Sequence, residues 1–366
     1  MLLASSVISG DPVAAASAVE LVHAGDDAPG LRRLRHGKSF RYVDEQGRAV
    51  RDAATLSRIR ALVIPPAWTD VWISRDPDGH IQATGRDAKK RKQYRYHPKW
   101  RMVRDEAKYH RLVAFCAALP GLRAEVERDL ACSCLCKRKV VATVVALMER
   151  AQLRVGNDEY ARQNGSYGAT TLRDRHAKIH GDTLELAYRG KSGVQRRIVL
   201  TDRRLARIVR RCRDLPGQRL FQYRDGDEIR AISSNDVNDY LREVTGGPFT
   251  AKDYRTWAAT LGAALLLCAL EHPGSVAGCK RCVKQVLEIV AGKLGHTPAV
   301  CRSSYIHPRV IDDFTNNKLA AQLARQIRRR VGEIEVAPGA IEVETLRAIE
   351  PVVARYLDRQ ARRRHA

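Results

Sequence analysis

The amino-acid sequence predicts an α+β protein with a small, mainly β N-terminal domain and a larger, mostly α-helical catalytic domain that carries a short β-hairpin sheet. Three observations lead to this prediction. Strand-and-turn patterns fill residues 31–102, apolar residues recur at helical spacing through most of residues 103–366, and one strand–turn–strand pattern interrupts the helices near residue 190. Residues 1–30 are expected to form a flexible N-terminal extension.

The charge of the chain favours a polyanionic partner. Lys and Arg number 65 against 41 Asp and Glu, which gives a formal net charge of +24. Such an excess raises the encounter rate with nucleic acid, and each cation that neutralises a phosphate releases a condensed counterion. We therefore predict a nucleic-acid partner and binding that weakens steeply with salt. An acidic protein or a membrane surface is the alternative partner for a basic chain.

The sequence gives no sign of a membrane span or a secretory signal. The longest apolar stretch, residues 257–270, has about 14 residues where a bilayer needs about 20, so we predict a buried helix there. Residues 1–30 are Ala-rich without Lys or Arg, and Gly10, Asp11 and Pro12 interrupt any apolar core. No membrane partner and a cytoplasmic location are expected.

The cysteines do not predict a disulfide scaffold. Their number, 9, is odd, and the chain is long enough to bury a core without them. Cys132, Cys134 and Cys136 resemble half of a zinc site, as do Cys279 and Cys282, but the two groups are far apart in sequence. No metal and no cofactor is assigned.

The predicted N-terminal domain contains short strands closed by turns. Residues 40–43 and 71–74 are predicted strands, followed by turn sequences at residues 44–47 and 76–79. A run of cations and aromatic residues ends this domain before Pro98. A solvated linker is the alternative for a block of like charge, but tyrosines are unusual in such a linker. The candidate DNA-binding residues of this run are Arg86, Lys89, Lys90, Arg91, Lys92, Tyr94 and Tyr96.

The rest of the chain is predicted to be mostly helical, with the clearest helical periodicity in residues 140–148, 260–270 and 283–294. The interruption consists of strand patterns at residues 183–188 and 197–200. They flank a Gly-containing turn with Lys191 at its tip. We therefore predict a β-hairpin that presents Lys191.

A short helix near residue 300 is the most informative local feature. Gly295 is suited to the left-handed position after the preceding helix, Thr297 is a predicted N-cap, and Pro298 is a predicted first helical residue. The helix is expected to run to Tyr305. His296 and Tyr305 therefore flank one short helix.

This Gly-His-Thr-Pro segment, with a Tyr nine residues after the His, resembles the active-site segment shared by type IB topoisomerases and tyrosine recombinases. Similar motifs precede it in the family's order at residues 149–157, at Lys191 and at residues 252–256. Residues 64–68 and 87–98 resemble the N-terminal module of bacterial and poxviral type IB topoisomerases, so the resemblance covers nearly everything after residue 30. The implied catalytic residues are Arg154, Lys191, Arg255, His296 and Tyr305, with Lys252 assisting.

The implied chemistry explains why these residue types are needed. A phenol has a pKa of about 10 and attacks an anionic phosphodiester, so fixed positive charge is required. Arg154 and Arg255 can each fork onto the non-bridging oxygens, and His296 can donate a further hydrogen bond. These groups make a metal ion unnecessary for the reaction.

The remaining steps concern protons and energy. Lys191 can protonate the expelled 5′-oxygen, and a phosphoryl group held on Tyr305 keeps the energy of the cut bond, so ATP is not needed. The sequence accordingly contains no Walker-type Gly-rich loop. No side chain is assigned as acceptor of the tyrosyl proton, for which water and a substrate oxygen are the alternatives.

The resemblance thus implies a monomeric type IB DNA topoisomerase that clamps double-stranded DNA in the nucleoid. Such an enzyme relaxes supercoils by single-strand cleavage through a 3′-phosphotyrosyl intermediate, strand rotation and religation. A tyrosine recombinase is the first alternative, but recombinases usually carry a His where this chain has Lys252 and more often begin with a helical domain. A non-catalytic DNA-binding protein is the second, and the complete catalytic set argues against it.

Overall fold

The computed structural model describes residues 12–363, and the chain divides into two compact units, residues 1–111 and 112–366. We refer to them as the N-terminal and C-terminal units. The second domain was expected to begin at residue 103, and the two units meet within a long helix that spans that position. The expected α+β class is confirmed, because strands dominate the first unit and helices the second.

The N-terminal unit is built on a five-stranded antiparallel sheet with the spatial order β2-β1-β3-β4-β5. Its strands are β1 Gly30–His36, β2 Ser39–Val43, β3 Thr69–Ser74, β4 Ile81–Arg86 and β5 Lys92–Tyr96. Its short helices are α1 Pro12–Ser17 and α2 Ala53–Ala61. Ile59 of α2 packs with Leu31, Val71 and Ile73 of the sheet, which buries one face. The two strands predicted from sequence correspond to β2 and β3.

Residues 12–29 differ from the flexible extension that composition predicted; residues 1–11 of that extension lie outside the described residues. Ala16 and Leu21 form a small buried core with Trp100. Asp26 pairs with Lys92 of β5 at 2.7 Å. Composition did not predict this packing because the partners of these residues, Trp100 and Lys92, lie far along the chain.

The C-terminal unit is mainly helical. Its helices are α3 Pro98–Ala131, which begins before the unit boundary, α4 Lys137–Ala151, α5 Asp158–Asn164, α6 Arg203–Arg213, α7 Ser234–Thr245, α8 Ala251–Ala269, α9 Val276–Leu294, α10 Pro298–Ser304, α11 Pro308–Thr315, α12 Arg325–Val331 and α13 Val343–Arg363. The predicted buried helix is α8, which is almost entirely buried and packs against α9 and α13. None of the helices described within residues 12–363 is long and apolar enough to cross a membrane.

The predicted hairpin is present and belongs to a three-stranded antiparallel sheet, β6 Ala177–His180, β7 Thr183–Arg189 and β8 Gln195–Thr201. A second hairpin, β9 Gln222–Asp225 and β10 Glu228–Ala231, was not predicted. The strands β6, β9 and β10 each have four residues, too few for an alternating pattern to stand out from the helical background.

A largely buried ion network joins α3, α4 and α13. Arg123 donates to both carboxylate oxygens of Glu350 at 2.8 Å and pairs with Glu149 at 2.6 Å. Arg347 also pairs with Glu149 at 2.8 Å, and the indole N–H of Trp257 donates to Glu350 at 3.3 Å. The carboxylates therefore hold three helices and α8 in one arrangement.

We predict that Glu350→Ala lowers the free energy of unfolding by about 3 kcal/mol, because it removes one of the two carboxylates that pair with the largely buried Arg123 guanidinium and leaves the Trp257 indole N–H without its acceptor. Urea unfolding followed by circular dichroism measures the change. Glu228→Ala, which removes the exposed ion pair with Arg230, is the matched control and should cost less than about 1 kcal/mol. Equal losses in the two variants would show that the network contributes no more than a surface pair.

Candidate active site

Four of the five candidate catalytic side chains line one open pocket of about 240 Å³ in the C-terminal unit: Arg154, Lys191, Arg255 and Tyr305. Lys252 lines it as well. The fifth, His296, packs against the ring of Tyr305, with ring centroids 4.4 Å apart. The structure thus brings together residues that are spread over some 150 positions of sequence.

Arg154 reaches the pocket because α4 ends abruptly before it. Gln152 takes a left-handed conformation at φ 52°, and Leu153 is buried. The chain then runs beside residues 168–170, where the N–H of Ala169 donates to the Arg154 carbonyl at 2.7 Å. This approach requires Gly168, since a Cβ there would lie 2.6 Å from the backbone of Gly156. Two glycines therefore fix the backbone that presents Arg154.

Arg255 occupies the first half of α8 and is only 4% exposed. Its guanidinium donates to the carbonyl of Gln152 and, at 2.6 Å, to the carbonyl of Leu294. These carbonyls stand at the C-terminal ends of α4 and α9, where the helix dipole places partial negative charge. Two helix ends therefore stabilise the buried cation without neutralising it.

Arg154 uses the same kind of partner. Its Nη2 donates to the Gly295 carbonyl at 2.8 Å and lies 3.1 Å from Nε2 of His296. None of the ion pairs found among residues 12–363 includes Arg154 or Arg255. In addition, the buried Nε of Arg255 has no hydrogen-bond partner within that range. Two guanidinium charges beside a pocket, with no carboxylate to balance them, create a site for an anion.

His296 and Tyr305 are placed by the ends of two helices, as the sequence predicted. Gly295 adopts φ 66° after α9, and the N–H of His296 donates back to Ala291 at 2.9 Å. Thr297 caps α10 through its side chain, and Tyr305 follows the last helical residue of α10. The ring of Tyr305 lies 5.7 Å from the guanidinium carbon of Arg255.

Burial and neighbouring cations shift the pKa values of the site. Burial, followed by the charges of Arg154 and Arg255, lowers the pKa of His296 from 6.5 to about 3. Burial also lowers the pKa of Arg255 from 12.5 to about 10, with repulsion from Arg154 adding to the effect. His296 is therefore neutral near pH 7, whereas the Arg255 guanidinium keeps its charge.

Lys191 lies at the tip of the β7–β8 hairpin, where the sequence placed it. It begins a 3-10 turn in which Ser192 adopts φ 63°, and its side chain is exposed. The Lys191 ammonium lies 5.8 Å from the ring centroid of Tyr160, which also lines the pocket. Lys252 is exposed on the first turn of α8. Two lysine ammonium groups therefore belong to the rim of the pocket.

Arg196 is a neighbour of the site that sequence reasoning missed. From β8 it donates to the carbonyls of Gly292 and Lys293 at 3.1 and 2.9 Å, and it contributes to the lowered pKa of His296. It therefore ties the Lys191 hairpin to the end of α9. Its position next to the turn of the predicted hairpin was the only available signal, and a basic residue there is ordinarily a surface residue.

The candidate DNA-binding run of the N-terminal unit forms the end of β4, a tight turn and β5. Three of its cations are paired: Arg86 with Asp70 at 3.7 Å, Arg91 with Asp87 at 2.5 Å, and Lys92 with Asp26 at 2.7 Å. Lys89 and Lys90 are exposed on the turn, and Tyr94 stacks on Tyr96 with centroids 5.7 Å apart. Arg86 and Lys92 also line a groove of about 480 Å³.

Comparison with known proteins agrees with this arrangement. Residues 97–330 match the family model of the eukaryotic DNA topoisomerase I catalytic core, and residues 39–87 match that of the bacterial DNA topoisomerase IB N-terminal domain. The chain is also 34% identical over 296 residues to the DNA topoisomerase 1B of Acanthamoeba polyphaga mimivirus, which covers 79% of this chain and 88% of the relative. The catalytic-core match spans more than half of the chain and includes the whole pocket. The resemblance seen in the sequence is thereby confirmed, and the chain belongs to the type IB DNA topoisomerases, a family of isomerases that act on DNA.

Proposed function

We propose that this enzyme relaxes supercoiled duplex DNA through a transient 3′-phosphotyrosyl bond to Tyr305 and needs neither ATP nor a metal ion for the reaction. The observation that carries the proposal is the pairing of a phenol with two guanidiniums that have no carboxylate partner among the described residues. A DNA phosphate in the pocket supplies the negative charge that Arg154 and Arg255 lack in the free protein.

Cleavage begins when the Tyr305 oxygen attacks the phosphorus and its phenolic proton passes to water or to a substrate oxygen. The bond from the phenolic oxygen to phosphorus forms as the bond from phosphorus to the 5′-oxygen breaks. Arg154 and Arg255 each bind non-bridging oxygens and stabilise the charge of the pentacoordinate transition state. Because His296 is neutral near pH 7, it contributes one N–H donor and adds no repulsion toward the two arginines.

Lys191 supplies the proton that the departing 5′-oxygen needs, and Lys252, which lines the same pocket, assists it. After strand rotation, the 5′-hydroxyl attacks the phosphotyrosyl phosphorus and returns this proton to Lys191, so the bond is resealed and the lysine regenerated.

The N-terminal unit, through Lys89, Lys90 and the Tyr94–Tyr96 stack, binds the duplex alongside the C-terminal unit. A single chain thereby clamps the DNA.

We expect wild-type protein to relax supercoiled plasmid in EDTA without ATP, and Tyr305→Phe to lose relaxation by at least about 10³-fold, because the nucleophile is gone. Agarose gels measure relaxation, and denaturant trapping of a nicked protein–DNA adduct reports the covalent bond. Tyr223→Phe removes a buried hydroxyl outside the pocket and should leave both readouts intact. Inactive wild type would favour the non-catalytic alternative, and site-specific strand exchange would favour the recombinase.

Lys191→Ala should slow cleavage of an ordinary DNA strand by about 10² to 10⁴-fold, since the leaving oxygen then departs without a proton. A strand with sulfur in place of the 5′-oxygen needs no protonation, so cleavage of that strand should return to near the wild-type rate. Single-turnover rates on both strands test this. Lys280→Ala, an exposed lysine of α9, is the control. If the sulfur strand is cleaved as slowly as the oxygen strand, Lys191 is not the proton donor.

The lowered pKa of His296 predicts an acid-sensitive stability. An unfolded chain protonates histidine below about pH 6.5, whereas the folded site resists protonation until about pH 3. Unfolding therefore takes up a proton between these values, and the free energy of unfolding falls as pH decreases through this window. Gln at position 296 does not titrate, so wild type should lose stability more steeply than His296→Gln. Urea unfolding of DNA-free protein from pH 8 to pH 4 tests this, and parallel curves would contradict it.

A further inference from the structure

Three cysteine thiols form a cluster away from the candidate active site, in the loop between α3 and α4. The Sγ atom of Cys132 lies 3.1 Å from that of Cys134 and 3.9 Å from that of Cys136. All three sulfur atoms lie within 4.8 Å of one another. Cys279, of the second cysteine group in the sequence, instead contacts His272 at 3.2 Å.

The protein holds this loop in place without help from the thiols. Leu135 is buried, whereas Cys134 is exposed and Cys132 and Cys136 are half-buried. The Leu135 carbonyl accepts from the N–H of Arg224 at 3.2 Å, and the carbonyl of Ser133 accepts from Arg211 at 3.1 Å. The Lys139 ammonium donates to the carbonyl of Cys132. The sulfur positions are therefore set by surrounding contacts.

We propose that Cys132, Cys134 and Cys136 together bind a thiophilic d¹⁰ cation, Zn²⁺, as three thiolates. Zinc–sulfur bonds of about 2.3 Å in a tetrahedron place sulfur atoms about 3.8 Å apart. The distances of 3.1 and 3.9 Å and the 4.8 Å limit bracket this separation, so small side-chain rotations suffice. Thiolates are the ligands that favour zinc over the harder divalent cations.

The charge around the cluster suits such a complex. Three thiolates and one Zn²⁺ carry a net charge of −1, and Arg211 and Arg224 line the same cavity as Cys134 and Cys136. Asp214 also lines the cavity, and a water molecule completes the tetrahedron around the cation. The two arginines offset the negative charge of the three-thiolate complex.

The bound cation acts on the fold and takes no part in the proposed reaction. Cys136 is the N-cap residue of α4, and Cys132 follows α3 directly. A metal shared by these residues joins the end of α3 to the start of α4, the helix that leads to Arg154. Because an unfolded chain holds no preformed site, binding stabilises the folded state.

The test is a titration of the full-length chain with Co²⁺, purified with a phosphine reductant and no chelator. One equivalent per chain should give thiolate-to-cobalt charge transfer in the near ultraviolet and the intense visible absorption of tetrahedral Co²⁺, and Zn²⁺ should abolish both. Cys134→Ser, at the exposed position, should weaken binding at least tenfold. Cys282→Ser, a half-buried thiol outside the cluster, is the matched control and should bind like wild type.

A second measurement uses wild-type protein alone. Mass spectrometry after alkylation should show that Zn²⁺ protects Cys132, Cys134 and Cys136 while Cys282 reacts at its metal-free rate, and Zn²⁺ should raise the melting temperature. The proposal is overturned by wild type that gives no charge-transfer band, by equal binding in Cys134→Ser, or by protection of Cys282 in place of the cluster. Binding of Cu⁺ with no binding of Co²⁺ or Zn²⁺ would overturn the zinc assignment.

Discussion

The burial of the Arg255 guanidinium constrains the structure around the active site more than any other single feature. A charged group removed from water is costly unless it has hydrogen-bond partners, and a carboxylate partner would cancel the charge that a phosphate must meet. The protein resolves this conflict with the C-terminal carbonyls of α4 and α9, which supply partial negative charge through the helix dipole. The cation is stabilised and still attracts an anion.

The use of terminal carbonyls as partners for Arg255 determines where α4 and α9 end. The last turn of α4 must stop at Gln152 and that of α9 at Leu294, and both stops use left-handed residues, Gln152 itself and Gly295. The same carbonyl-rich junction receives Arg154 through Gly295 and brings His296 against the tyrosine ring. The carbonyl groups of a helix terminus usually need capping groups. Here the terminal carbonyls bind the arginines of a candidate anion site instead. The ion network of Glu149 and Glu350 holds α4, which carries one of these termini, and α8, which carries Arg255.

The two units treat their cations differently, which agrees with different tasks on DNA. In the N-terminal unit, Arg86, Arg91 and Lys92 have carboxylate partners, whereas Lys89 and Lys90 are exposed, and the proposed function assigns these two lysines to a duplex surface. Contacts of this kind give affinity that is sensitive to salt and little discrimination between phosphates. In the C-terminal unit, Arg154 is half-buried and Arg255 is buried, and neither has a carboxylate partner within residues 12–363, so they form a site for an anion, which the proposed reaction assigns to one phosphate.

The sequence by itself determined the features that depend on neighbouring residues. Local pattern was sufficient for the fold class, the buried helix α8, the hairpin with Lys191 at its tip, and the Gly295–Pro298 junction, because caps, turns and periodicity are properties of adjacent positions. Motif order then selected the five catalytic candidates. Their convergence, the roles of Gln152 and Leu294 as carbonyl partners, the contacts of Arg196 beside the hairpin turn and the packing of residues 12–29 were decided only by the tertiary structure. Each of these features depends on contacts between segments that are distant in the chain. The burial and electrostatic energies that select such contacts cannot be inferred from the spacing of neighbouring residues.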